Sequence, residues 1–208
     1  MGMSKRNIVF VFLIIFGMTA LFAYFQSLPS LLQKKPMLLT GKILTRPMEL
    51  NNFELIDQYN QTFNNKSLVG NWTIIFFGYT NCPDVCPTTI YKLAEIKNEI
   101  IEKLPSENFN TVLVTLDPDR DTPERLDEYI GYFDQTMLGV TGTYEDIQTF
   151  ASSLSVFYQR INKDEGYDFN HTASIFVLDK DGSLFATMSP ANPVSELKDD
   201  FYTILNNF

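Results

Sequence analysis

The chain has 208 residues, 45% of them hydrophobic and 20% charged, with a formal net charge of −9. Those proportions suit one globular domain with an appendage. No Asp or Glu precedes Glu49, so setting aside Lys5, Arg6, Lys34 and Lys35 leaves 12 basic against 25 acidic residues, a net of −13 that repels nucleic acid and anionic lipid.

The appendage comes first. Ile8 to Phe25 carries no charge and is dominated by Val, Ile, Leu and Phe. At about 1.5 Å per residue such a helix crosses most of a hydrocarbon core of roughly 30 Å, and the uncharged stretch continues to Gln33. A cleaved signal peptide would show small residues at the cut, where this chain has "LFAYFQ". A buried core helix would show a polar stripe, and none is present. The segment therefore predicts an uncleaved single-pass transmembrane helix. Residues 1–35 form the anchor and its flanks, 36–50 a linker with Pro36, Gly41 and Pro47, and 51–208 the folded domain.

Within that domain, "FELIDQYNQTF" (Phe53–Phe63) alternates around a polar turn and predicts a small hairpin. "WTIIFFGY" from Trp72 is a continuous apolar run, as in a strand buried on both faces. Helical spacing follows from Pro87 to about Leu104, and "TVLVTL" from Thr111 is a second buried strand. Thr122-Pro123-Glu124 opens a helix, with Thr122 as cap, Pro123 at the first helical position and an acid in the first turn. Next come a short strand at Leu138–Val140, a helix over Tyr144–Leu154 and a strand over Val156–Ile161. "TASIFVLDKDGSLFATM" reads as two strands joined by an Asp-Lys-Asp-Gly turn, before a last helix over Val194–Leu205. Strands alternating with helices give an α/β class with an added hairpin near each end.

The chemistry lies in three residues. Cys82 and Cys86 are the two cysteines, four residues apart between a strand and a helix. A helix amino terminus carries unpaired N–H groups and partial positive charge, which favour thiolate over thiol. A thiolate is both the nucleophile of disulfide exchange and a ligand for a soft metal. A structural disulfide or two quiet cysteines are the bland alternatives, although bridging adjacent residues removes little chain entropy. His171, the single histidine, stands in "YDFNHTASIFVL" just before a strand, in a loop able to return beside the cysteines. A lone histidine is more often an ordinary hydrogen-bonded residue. Together, however, two thiolates and an imidazole make a three-coordinate soft site suited to Cu(I), and to Cu(II) with a further weak ligand. Structural zinc prefers four protein ligands. The extra residue between the cysteines, relative to Cys-x-x-Cys, widens the bite of the pair.

"GYTNCPDVCPTTI", "VTLDPDRDTPERL" and "DFNHTASIFVLDKDG", in that order, resemble the Sco/SenC family of membrane-anchored, thioredoxin-like copper chaperones, from Phe53 to the carboxyl end. The resemblance implies a thioredoxin-like sandwich with added hairpins and copper, as Cu(I) or Cu(II), at Cys82, Cys86 and His171. It also implies delivery of copper to the dicopper site of a cytochrome c oxidase subunit without turnover, with an upstream periplasmic copper donor as a further partner. The alternative is a thiol–disulfide oxidoreductase that keeps that subunit's ligand cysteines reduced, with Cys82 and Cys86 as the redox pair. The implied location is a bacterial inner membrane, with the domain in the periplasm. Two positions depart from the family pattern: Asn81 stands where members often have His, and Asn170 where they often have Asp.

Asp117, Asp119, Asp121 and Glu128 fall at positions one, three, five and twelve of a calcium-loop pattern. Position six should be Gly, and Thr122 followed by Pro123 is biased to extended backbone, which argues against calcium. The run reads better as a loop whose carboxylates face Arg120 and a helix start. The seven methionines are scattered and read as packing.

Overall fold

A computed structural model describes residues 14–25, 36–105 and 109–208, and the chain divides into two units between Pro36 and Met37. In the first unit, α1 covers residues 14–25. The second unit runs β1 (Gly41–Met48), β2 (Glu54–Asp57), β3 (Thr62–Asn64), a 3₁₀ turn (Asn65–Leu68), β4 (Trp72–Gly78), α2 (Val85–Lys103), β5 (Phe109–Thr115), α3 (Pro123–Gly131), β6 (Leu138–Thr141), α4 (Tyr144–Ser153), β7 (Tyr158–Asn162), β8 (Tyr167–His171), β9 (Ile175–Leu178), β10 (Leu184–Met188) and α5 (Val194–Asn207).

The first unit corrects the sequence reading. Among the described residues no helix is long and apolar enough to cross a membrane. The expected transmembrane helix, the single-pass anchor and the inner-membrane location facing the periplasm are therefore not supported. Residues 8–13 of the expected span, and 26–35 after it, lie outside the described residues.

In the second unit eight strands form one mixed sheet in the order β1-β10-β9-β4-β5-β6-β2-β3, thioredoxin-like with added strands. The register of β4 explains its unbroken apolar run. It pairs parallel with β5 on one side and antiparallel with β9 on the other, and all seven of its residues are buried. Trp72, Ile74 and Phe76 face a core shared with α2, α3 and α5. Ile75 and Phe77 face the opposite core, with α4 and the 3₁₀ turn. A strand covered on both faces has no polar alternation to show.

Three local differences from the sequence reading bear on the site. First, β1 falls within the stretch read as an irregular linker; it pairs with β10, and Asp200 of α5 accepts from the backbone N–H groups of Leu39 and Thr40 at 2.7 and 2.6 Å. No β1 residue is fully buried, so its sequence carries no alternation. Second, α2 starts at Val85 rather than Pro87, which puts Cys86 inside the first turn. Proline at the third helical position is tolerated because that residue's N–H has no intrahelical acceptor. Third, β8 pairs only with β7, in a two-stranded sheet of its own, and His171 is its last residue rather than part of a loop.

Candidate metal centre

Cys82 sits in the turn between β4 and α2, where its N–H donates to the Tyr79 carbonyl at 3.2 Å. Asp84 occupies the cap position of α2 but makes no side-chain cap. The Cys82 sulfur takes that role, accepting from the Cys86 N–H at 3.4 Å. The helix start thus delivers partial positive charge to this sulfur. A hydrogen bond from the Cys86 thiol, and smaller ones from the backbone N–H groups of Asp84 and Cys86, pull the Cys82 thiol down to about 5 against the opposing effect of burial. Cys86 moves the other way. It is fully buried, donates to Cys82, and is held far above the ordinary thiol range. One cysteine is a part-exposed thiolate and the other its buried, protonated partner. Neither is in a disulfide.

The Cys86 sulfur needs Gly78 beside it. A Cβ at position 78 would stand 2.9 Å from that sulfur and 3.1 Å from the Phe76 ring.

His171 forms the opposite wall. Cys82 and His171 line one cavity of about 250 Å³, together with Tyr79, Val85, Phe169 and Asn170. The imidazole Nδ1 lies 3.2 Å from the Thr172 carbonyl oxygen. A carbonyl only accepts, so Nδ1 carries the proton and Nε2 keeps its lone pair. Burial holds the ring below the usual histidine range, in the neutral form that ligates metals. Phe76 and Tyr79 meet it edge-on, at centroid distances of 6.3 and 6.1 Å.

Of the three residues the sequence singled out, Cys82 touches Cys86 and shares a cavity with His171, whereas Cys86 does not line that cavity. Among the described residues no group of three His, Cys, Asp or Glu side chains stands in metal-holding geometry. The donor types fit a soft cation, two sulfurs and a neutral imidazole. Gathering all three around one ion requires the Cys86 sulfur to turn away from Gly78, or His171 to approach.

Several residues of the site were not picked out from the sequence, or, like Asp121, only as members of the acidic run. The Tyr79 hydroxyl donates to Asp168 beside the Cys82 sulfur, and Lys163, then Tyr79, hold the Asp168 carboxyl down to about 2. A carboxylate thus reaches this neighbourhood from position 168, although position 170 is Asn. Asp121 is fully buried and accepts from the Thr80 N–H (3.0 Å), the Thr80 hydroxyl (2.6 Å) and the Thr115 hydroxyl (2.6 Å). It pins the cysteine turn to the end of β5. The Tyr129 hydroxyl of α3 is buried with no protein partner. The aspartates of the calcium-like run pair with protein groups: Asp117 with Arg120, Asp119 with Arg160 and the Tyr144 hydroxyl, Asp121 with the two threonines. The expected pairing of this run with Arg120 is found at Asp117, while Asp119 and Asp121 take other partners.

The family model for SCO1/SenC matches residues 44–206. The chain belongs to the SCO1/SenC family. Relatives within it include an SCO2-like protein of Rickettsia prowazekii, 34% identical over 189 residues and covering 88% of each chain. An SCO2-like protein of Rickettsia felis is 40% identical over 134 residues, 63% of this chain and 64% of its own length. Among solved SCO1/SenC structures, Arabidopsis thaliana ScoI with copper bound superposes with a TM-score of 0.72 at 29% identity, over 76% of this chain and 98% of that one.

Proposed function

We propose that this protein handles copper as cargo, holding it through the sulfurs of Cys82 and Cys86 and Nε2 of His171, and passes it to the dicopper-site subunit of a cytochrome c oxidase. The observation that carries the reading is the shared cavity: a stabilised thiolate and a neutral imidazole with a free Nε2 line one opening, with a second thiol in contact behind the first. Copper-bound Arabidopsis ScoI, of the same fold, supports it. Cys82 is the first ligand, already ionised. Cys86 gives up its proton as copper arrives, so uptake releases protons and weakens in acid. Because two of the three ligands are thiolates, a recipient's own thiols can replace them one at a time. X-ray absorption of the reduced, copper-loaded protein tests the reading. Sulfur with one nitrogen in the first shell is expected; a sulfur-free shell contradicts it.

A second reading rests on the thiol pair itself. A thiolate at Cys82 with Cys86 protonated behind it is also the arrangement for thiol–disulfide exchange, with Cys82 attacking and Cys86 resolving. That chemistry does not need His171.

A further inference from the structure

The hairpin that carries His171 has no ladder to the eight-stranded sheet. An isolated two-stranded hairpin is marginally stable at best, so side-chain contacts must decide where this one sits. One comes from the cysteine turn, where the Tyr79 hydroxyl donates to Asp168, and others converge on the segment 117–121, between β5 and α3. Arg120 pairs through Nε with Asp117 and donates through Nη1 to the Tyr167 carbonyl at 3.3 Å. Its guanidinium carbon lies 3.9 Å from the centroid of the Tyr167 ring, and that of Arg160 lies 3.4 Å from the same centroid. Both guanidiniums therefore stack on the Tyr167 ring. The Tyr167 hydroxyl donates to Asp117 at 2.8 Å, and Arg160 pairs with Asp119 at 3.3 Å.

Strand periodicity extends this grip to the site. Tyr167, Phe169 and His171 alternate onto one face of β8. Tyr167 is gripped, Phe169 is buried in the core, and His171 lines the cavity with Cys82. From the other end of the same segment, Asp121 holds Thr80, two residues before Cys82. One five-residue segment therefore ties down both walls of the cleft.

We propose that Arg120, acting with Asp117 and Tyr167, is a positioning residue that holds His171 at its distance from Cys82, and so determines whether copper gains an imidazole ligand. This rests on the reading of His171 as a ligand. Arg120 touches no copper itself; it acts through Tyr167 and the four-residue reach of β8.

The test uses the purified, reduced full chain with one equivalent of Cu(II), reading nitrogen coupling by electron paramagnetic resonance, affinity by competition, and Cys82 alkylation. Arg120→Gln should lose nitrogen coupling and weaken Cu(II) by about 10- to 100-fold, the usual effect of removing an outer partner of a ligand. Its Cys82 alkylation rate should stay at the parental value, which a general loosening of the fold would not allow. Arg120→Lys keeps the charge toward Asp117 but not the plane against Tyr167, and should recover part of the affinity. His171→Ala, run alongside, separates the two claims. If it keeps nitrogen coupling, the ligand reading falls, and this proposal with it. If it loses coupling while Arg120→Gln keeps both coupling and affinity, the ligand reading stands and the positioning role is overturned. Should Arg120→Gln fail to fold, Tyr167→Phe removes only the hydroxyl bound to Asp117. A smaller loss in the same direction supports the proposal, and parental affinity with parental coupling overturns it.

Discussion

The two walls of the cleft are built by different means. The cysteine wall follows directly from a strand with ladders on both sides and leads into a helix of 19 residues. Backbone hydrogen bonds and a fully buried apolar strand place it, and the Cys86 thiol, with smaller help from the N–H groups at the helix start, sets the charge on Cys82. The histidine wall is the end of a hairpin outside the main sheet, placed by two arginines stacked on the Tyr167 ring, by one buried phenylalanine and by the Tyr79 hydroxyl on Asp168. The first wall resists perturbation because moving it means breaking the sheet. The second can shift when a few side-chain contacts change. A site whose ligands must close around an ion and later release it gains from one fixed and one adjustable wall.

Substitutions on the cysteine wall should have the largest effect on copper. Cys82→Ser or Cys86→Ser exchanges a soft ligand for a hard one. Either variant should retain no Cu(I) through gel filtration under conditions where the parent retains one equivalent.

The next largest effect is on pH dependence. The metal-free reduced protein should react with iodoacetamide at Cys82 with half-maximal rate near pH 5, where an ordinary thiol needs about pH 8.5. Cys86, buried and held high, should remain unlabelled at pH 7. The same shift links to stability. A folded-state pKa below the unfolded one stabilises the fold fully above about pH 8.5, and that contribution declines as pH falls and is lost below the folded value near 5. A labelling midpoint above pH 8 would contradict the role given to the helix start and the Cys86 thiol.

Gly78→Ala probes the packing beneath the cysteine wall. The added methyl would stand 2.9 Å from the Cys86 sulfur. Overpacking of this kind costs about 1–3 kcal/mol, and each kcal/mol lowers Tm by about 2–4 °C in a domain of this size. Copper binding should weaken as the sulfur is displaced, while the Arg120 contacts to the hairpin stay intact. An unchanged Tm and unchanged Cu(I) affinity would show that the sulfur has room to spare.

Thr122→Ala should have the smallest effect and serves as a control. The Thr122 hydroxyl accepts from the Arg125 N–H at 3.2 Å and caps α3. Its loss should cost about 1 kcal/mol of stability without moving either wall. Thermal melts should show the loss, and copper affinity should not change.

The same contrast explains what was legible in the sequence. The buried run at Trp72, the Thr122-Pro123 start of α3 and the Asp-Lys-Asp-Gly turn are local signals, and they appear where the sequence placed them. So does the closeness of Cys82 and Cys86, which the turn leading into α2 enforces. β1 left no trace because an edge strand with no fully buried residue need not alternate. The short hairpin β7–β8 was half seen, since its second strand is placed by contacts to residues about 50 positions earlier, such as Tyr167 to Asp117. Tyr79 and Asp168 were missed for the same reason, being partners 89 residues apart, and Asp121 was picked out in the acidic run without its partner Thr80, 41 residues away. The hydrophobicity of residues 8–25 suggested a membrane span, but among the described residues no helix is long and apolar enough to cross a membrane.

The account turns on copper being held between the two walls, and His171→Ala tests that most directly. The thiolate-to-Cu(II) absorption and the rate of Cys82 alkylation should be measured on one preparation of the reduced variant. The account predicts that the absorption is lost, because Cu(II) needs more ligands than two sulfurs supply, while alkylation proceeds at the parental rate. Parental absorption in a variant whose alkylation is also parental would contradict it, and would leave thiol exchange as the better description of Cys82 and Cys86.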